Sequence, residues 1–264
     1  MTITDQIITD TRININTILS MVTDTGINID IGCGWPDSTP SLTLERIYAS
    51  KLSLLFDPRT DLVPYNETAY KDKSNVQYSQ SLVLPCNIED TLIKPLGEFK
   101  NDVFVLDVDI DGYDFYLTQA ILEAGIRPIF LSLEVNEKIP PPIKFSVLYN
   151  EKYNGPTGHF YGMSISKAYE LVEYGYDLIQ LFFASVILIR RDKNPYYTDN
   201  VAYKRFKPRT PEELYQKQYL ENNLHELVDY NSDVIHWHTL TGNDLKESIN
   251  DFYAEYDGKY KLYI

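Results

Sequence analysis

The chain has 264 residues, with 24 basic against 38 acidic side chains and a formal charge of -14, which leaves no broad cationic surface for a phosphate backbone and excludes nucleic acid as an expected partner. The longest apolar run, Leu178 to Ile189, is shorter than the roughly 20 residues that span a bilayer, and the N-terminus lacks the basic start and apolar core of a secretory signal. Cys33 and Cys86 make neither a disulfide framework nor a metal spacing, so the expected location is the reducing cytoplasm and the expected form is one large α/β domain with an appendage.

Taken in chain order, apolar positions between Ile7 and Val22 fit an opening helix that stops near Gly26. INIDIGCG, Ile27 to Gly34, reads as a strand running into a glycine turn. A helix through Leu42, Leu44, Ile47 and Tyr48 follows, and LSLLF, Leu52 to Phe56, is a second strand ending on Asp57. Strand, helix, strand in that order implies a right-handed parallel crossover. Val76 to Ser79, Val103 to Asp109 and Pro128 to Val135 supply three more strands, with a helix from Tyr116 to Ala124 stopped by Gly125. A helix from Ile165 to Glu173 ends at Gly175. Leu178 to Ile189 is too long for one strand and reads as two, bent near Ala184 and Ser185 and antiparallel at the sheet edge. Beyond Asp192 the texture turns Tyr-rich, Lys-rich and acidic, with a helix from Pro211 to Val228. The expected division is a ligand-binding domain over residues 1–192 and a C-terminal extension over 193–264, packed on it and contributing to the acceptor site.

Two constellations point to chemistry. In Asp30-Ile-Gly32-Cys-Gly34 the glycines let backbone approach a ligand, and the acid at the strand end can take a hydroxyl or an ammonium. Asp57, 23 residues beyond Gly34, stands where nucleoside-binding α/β folds place the carboxylate that holds both ribose hydroxyls. A dinucleotide fingerprint would want a third glycine where Asp37 stands, after Pro36. S-adenosylmethionine, with a ribose and no phosphate, therefore suits the spacing better than NAD.

The second is DVFVLDVDIDGYD, Asp102 to Asp114, an apolar strand with Asp107, Asp109 and Asp111 at alternate positions. Strand alternation puts the three acids on one face, an arrangement that demands a proton, a hydrogen-bond network or a cation. Asp109 and Asp111, with Glu134 and Asn136 from the next strand, are expected at one crevice. Asp109, Glu134 and Asn136 are hard oxygen ligands suited to Mg²⁺ or Mn²⁺, and Asp109 could equally act as general base. Asp114 is read as a helix cap.

At the level of whole segments, LVLPCNIEDTL (Leu82 to Leu92), VLDVDIDGYDFYLTQAI (Val105 to Ile121), RPIFLSLEVNEKIPPP (Arg127 to Pro142), YGMSISKAYELVEYGYDLI (Tyr161 to Ile179) and ILIRRD (Ile187 to Asp192) resemble, in order and spacing, FkbM-like S-adenosylmethionine-dependent methyltransferases. The resemblance covers Ile27 to Asp192. It implies a Rossmann-like class I methyltransferase fold, a seven-stranded mostly parallel sheet with helices on both faces, and O-methylation of a sugar in a glycan, capsule or natural product. Pro36 and the short third strand depart from the pattern, so Gln80 and Ser81 are only the nearest residues for an adenine.

His159, in the loop NGPTGHFYGMS, is a second candidate base. His236 and His238, placed on a strand, read as packing. Lys204 to Arg209 (KRFKPR) is the one dense basic run, either a solvated loop or a clamp for the phosphates of a nucleotide sugar. Cys33 lacks a placeable base. The expected activity is thus S-adenosylmethionine-dependent methyl transfer to a hydroxyl of a small-molecule sugar or nucleotide-sugar acceptor. Asp30, Gly32, Gly34 and Asp57 would hold the cofactor, and Asp109 or His159 would take the proton. A silent binding module of the same fold and a nucleotide-sugar oxidoreductase are the alternatives, and a homo-oligomer is left open.

Overall fold

The computed structural model describes residues 26–36, 50–152, 158–182, 184–198, 201–221 and 236–264. The expected helices at Ile7 to Val22 and Leu42 to Tyr48, and the last part of the one expected at Pro211 to Val228, lie outside them.

Among the described residues, seven strands form one mostly parallel sheet in the order β3 (Val76–Ser79), β2 (Leu52–Phe56), β1 (Ile27–Ile31), β4 (Val103–Val108), β5 (Phe130–Glu134), β8 (Ser185–Arg190) and β7 (Tyr176–Phe182), the Rossmann-like architecture expected. The chain condenses into two compact units. Of the described residues, one takes those over 26–110 and Tyr116–Ser132; the other takes Asp111–Phe115 and those over 133–264.

The first unit is built on β1 (Ile27–Ile31), β2 (Leu52–Phe56), β3 (Val76–Ser79) and β4 (Val103–Val108), with α1 (Val63–Tyr70) leading into β3. β1 pairs in parallel with both β2 and β4, and β2 with β3. A strand flanked on both edges is expected to be buried on both faces, and every residue of β1 is. Its polar members are therefore absorbed by neighbours or left wanting. Asn28 donates its amide to Ser53 Oγ at 3.2 Å, and Ser53 shares a hydrogen bond with Ser50 at 2.8 Å. Asp30 lies opposite Asp107 of β4 in the register.

The alternation expected through Asp111 stops earlier. β4 ends at Val108; the N–H of Asp109 still donates to Ile31 O at 2.9 Å, but Asp111 turns left-handed at φ 55°. Asp107 is buried and Asp111 exposed, so the three acids do not share one strand face. α2 (Asp114–Glu123) starts soon after, and its first residue, Asp114, accepts the Gly112 N–H at 2.8 Å, which ties the preceding turn to the helix.

In the second unit β7 (Tyr176–Phe182) and β8 (Ser185–Arg190) form the expected antiparallel pair around the bend. α3 (Ile165–Ala168) is capped by Ser164, whose Oγ accepts the Lys167 N–H, and the helical turns after it end at Gly175 with φ 87°. α4 (Pro211–Leu214) carries a full capping box between Thr210 and Glu213, with proline at its first position. A second, two-stranded sheet pairs β6 (Lys144–Val147) with β9 (Tyr260–Tyr263). With α5 (Gly242–Phe252) these strands enclose Phe145, Phe160, Trp237, Leu245, Ile249 and Tyr253, all fully buried or nearly so. The Trp237 indole N–H reaches Ser248 Oγ at 3.2 Å. Residues His236–Thr239 are a 3-10 turn rather than the strand assumed for the His-Trp-His motif, and Trp237 is its packing residue. No helix among the described residues is long and apolar enough to cross a membrane.

Candidate functional site

The glycine turn after β1 is fixed by the chain itself. Gly32 has φ 91°, and a Cβ there would lie 1.7 Å from the carbonyl oxygen of Asp109. No side chain fits, so the close approach that requires glycine at this position is that of the β4 backbone. The N–H groups of Gly32 and Cys33 both donate to Phe56 O, at 2.8 and 3.1 Å, which ties the turn to the end of β2. Gly34, at φ 59°, donates its N–H to Asp57 Oδ2 at 3.0 Å and accepts the buried Asn66 amide from α1 at the same distance. Beyond it, Trp35 is 43% exposed and meets the Tyr65 ring edge-on at 4.6 Å.

Asp57 stands at the end of β2, as its spacing predicts. Its Oδ1 accepts the Arg59 N–H at 2.9 Å and Arg59 Nε at 3.0 Å, and its Oδ2 accepts Arg59 Nη2 at 2.9 Å besides Gly34. Burial by itself would raise its pKa; the Arg59 fork and the two backbone N–H groups outweigh burial and hold it below the usual carboxylate range. Gln80 lies after β3 within 3.5 Å of Pro58 O, beside the same loop.

Asp30 is the opposite case. It is 1% exposed, neither carboxylate oxygen has a hydrogen-bond partner among the described residues, and Asp107, Asp109 and Asp57 surround it with like charge. Burial, then those three carboxylates, push its pKa well above the ordinary value. Such a group favours a proton or a cationic ligand. Burial likewise pushes the Cys33 thiol up, aided by Asp30 and Asp57, so no thiolate nucleophile forms there.

The remaining candidates fall in the second unit, apart from Asp109, which follows β4 in the first. The carboxylates of Asp111 and Glu134 approach within 4.8 Å of each other. Asn136, expected beside Glu134 as a ligand, is drawn elsewhere. Its Nδ2 donates to the carbonyl of His159 at 2.8 Å and, more distantly, to Tyr161 O and Tyr253 Oη at 3.4 Å, while its buried Oδ1 has no partner among the described residues. Of the expected ligand set of Asp109, Glu134 and Asn136, Asn136 serves instead as a loop clamp.

His159 is held by its backbone. Its carbonyl accepts Asn136 and also the Tyr253 hydroxyl at 2.7 Å, and its ring leans on Phe252 at 6.0 Å. Partial burial, then the Lys138 ammonium, lower its pKa below the ordinary histidine value, against a smaller opposing effect of Glu137. Glu137, Lys138 and Tyr161 form a closed buried ring: Lys138 Nζ donates to Glu137 Oε1 at 2.8 Å and Tyr161 Oη at 2.6 Å, and Tyr161 donates to Glu137 Oε2 at 2.7 Å. A neutral imidazole beside this ring can accept a proton near neutral pH.

Arg59, Lys138, Tyr161 and Tyr253 were not foreseen as site residues. Arg59 had a legible signal, being two residues after the acid at a strand end; Tyr253 had none, since its partner lies far away in sequence. The basic run Lys204 to Arg209 is a surface turn, with Lys204 and Lys207 exposed and Arg209 N–H bound to Leu178 O of β7 at 2.8 Å.

No family model matches the chain, and no curated protein matches it. Solved structures do align with it. An rRNA methylase from Streptococcus thermophilus aligns over 66% of this chain and 91% of its own, at 11% identity and TM-score 0.36. TrmK from M. capricolum, in complex with S-adenosyl-homocysteine, aligns over 90% and 96% at 11% identity and TM-score 0.39. Phosphoethanolamine N-methyltransferase 1 from Haemonchus contortus aligns over 85% of this chain and 52% of its own at 12% identity and TM-score 0.40.

Proposed function

We propose that the chain is an S-adenosylmethionine-dependent O-methyltransferase acting on a sugar hydroxyl, free, nucleotide-linked or within a glycan. The observation that carries this reading is the pairing of the Gly34 N–H with Asp57 at 3.0 Å, which aims a low-pKa carboxylate across the ends of β1 and β2. A carboxylate that stays ionised is the acceptor that two ribose hydroxyls need. Asp30 adds the second support, because a buried carboxylate with no hydrogen-bond partner among the described residues suits the cationic end of the cofactor.

When bound, the cofactor supplies an electrophilic methyl group on a sulfonium. The chain's own residues have three tasks: Asp57 and the glycine turn hold the nucleoside, Asp30 favours positive charge, and a base takes the hydroxyl proton. His159 fits the last task because it stays neutral and its backbone is clamped. Asp109 is the alternative base, standing at the end of β4 where ligands of open α/β sheets gather. Lys204 and Lys207, exposed in the basic turn, suit the phosphates of a nucleotide-linked acceptor.

Calorimetric titration with S-adenosylhomocysteine and with NAD tests the reading, followed by a screen of nucleotide sugars. Binding of the homocysteine compound, with none for NAD, is expected; the reverse would overturn it and favour an oxidoreductase.

A further inference from the structure

Each oxygen of Asp57 carries one backbone bond and one guanidinium bond. The backbone donors, Gly34 and Arg59 N–H, come from fixed chain and set the plane of the carboxylate. The side-chain donors are Nε on Oδ1 and Nη2 on Oδ2, from an Arg59 that is itself 53% exposed. A carboxylate offers about four acceptor positions, and here all four are used. The two that a side chain can vacate are parallel, one on each oxygen, which is the pattern a vicinal diol requires. Arg59 therefore sits on Asp57 as the 2′- and 3′-hydroxyls of a ribose would.

We infer that Arg59 is an internal competitor for the ribose position: the nucleoside binds Asp57 only as the Arg59 fork leaves, and Arg59 thereby sets the affinity of the cofactor site. This rests on the reading of Asp57 as the ribose carboxylate. The exchange is feasible because the guanidinium is half in solvent and regains water on release, whereas Asp57 is 2% exposed and cannot be left bare. Both partners keep their charge throughout. The neutral hydroxyls replace cationic donors, so the balance depends on how strongly the fork is held, and salt weakens an exposed ion pair.

The experiment is calorimetric titration of the full chain with S-adenosylhomocysteine, comparing wild type, Arg59→Ala and Arg59→Lys, with thermal melts to verify folding. Arg59→Ala is expected to bind about 3- to 30-fold more tightly, the scale of a half-exposed bidentate pair. Arg59→Lys should fall between, since an ammonium offers no planar fork and still allows a test should the alanine variant not fold. Raising KCl from about 50 to about 500 mM should tighten wild-type binding and leave Arg59→Ala unchanged. Equal or weaker binding by both variants overturns the competitor role while leaving the cofactor reading intact. Tighter wild-type binding of 2′,5′-ADP than of S-adenosylhomocysteine also overturns it, by making Arg59 a phosphate receptor. Failure of all three proteins to bind S-adenosylhomocysteine removes the cofactor reading and the inference with it.

Discussion

The hydroxyl of Tyr253, at the end of α5, donates to the carbonyl of His159 across 2.7 Å. The Asn136 amide reaches the same carbonyl, so the end of β5 (Phe130–Glu134) and the C-terminal helix jointly hold the loop that presents the imidazole. Tyr253 is also a core residue, stacked on Phe145 at 5.3 Å and 1% exposed. Its ring and its hydroxyl can be separated by mutation.

Tyr253→Phe keeps the ring and removes the hydrogen bond to the His159 carbonyl and the longer one from Asn136. We expect a loss of about 0.5–1.5 kcal/mol in stability, against about 3–5 kcal/mol for Tyr253→Ala, which empties a core site. If His159 is the base, the phenylalanine variant should lower kcat without changing affinity for S-adenosylhomocysteine. Denaturant unfolding and single-turnover kinetics measure the two effects.

His159 should titrate below the ordinary histidine value because burial and the Lys138 ammonium disfavour its charged form. Its contribution to stability is present above the unfolded value of about 6.5 and is lost as pH falls through the folded one. An NMR titration of the imidazole checks the direction. Lys138→Gln should raise the titration midpoint, and an unmoved midpoint would show that Lys138 has no part in it.

For Asp30 the sign is reversed. Its folded pKa is raised, so its favourable contribution exists only below the unfolded value and is lost as pH climbs towards the folded one. At neutral pH the wild-type carboxylate opposes folding. Asp30→Asn should therefore stabilise the free protein by about 1–3 kcal/mol at pH 7, flatten the pH dependence above the ordinary carboxylate value, and weaken binding of the cationic cofactor. Melting curves across pH, with calorimetry, test both halves; a destabilised variant would mean that Asp30 has a partner it depends on.

Asp57→Ala removes the acceptor of both the Gly34 N–H and the Arg59 fork. Affinity for S-adenosylhomocysteine should drop by about 1–3 kcal/mol, and the glycine turn should loosen, seen as faster amide exchange at Gly34. Unchanged affinity would mean that the nucleoside sits elsewhere.

Asp109→Asn is expected to fold and to bind S-adenosylhomocysteine, yet to lose methyl transfer by a factor on the order of 10²–10⁴ if Asp109 takes or steadies the proton. EDTA separates the routes. Activity that survives it belongs to a side-chain base; activity lost and restored by Mg²⁺ belongs to a bound ion. Full activity of the variant leaves the task to His159.

The first unit was largely legible because its signals are local. Buried strands such as INIDI and LSLLF announce themselves in five residues, and the turn after β1 is spelled by its glycines. The reason for Gly32 was not legible: the atom it avoids, Asp109 O, belongs to the residue that follows β4, far along the chain. The acidic strand misled in its last third, since periodicity does not reveal that Asp111 has turned left-handed. The extension was read least well. Leu245 and Ile249 of α5 sit four apart and are its two buried residues, a helical signal that the surrounding polar sequence masks. The pairing of β6 with β9 could not be read at all, because two four-residue strands gain meaning only from each other.

Asn136 and Tyr253 are separated by 117 residues, and the β6–β9 pair closes a comparable span. During synthesis, then, the strands that cradle Asp57 have emerged and can pair long before the clamp on His159 has both its jaws. Closing so long a loop is slow relative to local pairing. The chain therefore assembles its nucleoside-binding ends first and its imidazole last, so a nascent or nicked molecule lacking α5 would hold the one without positioning the other.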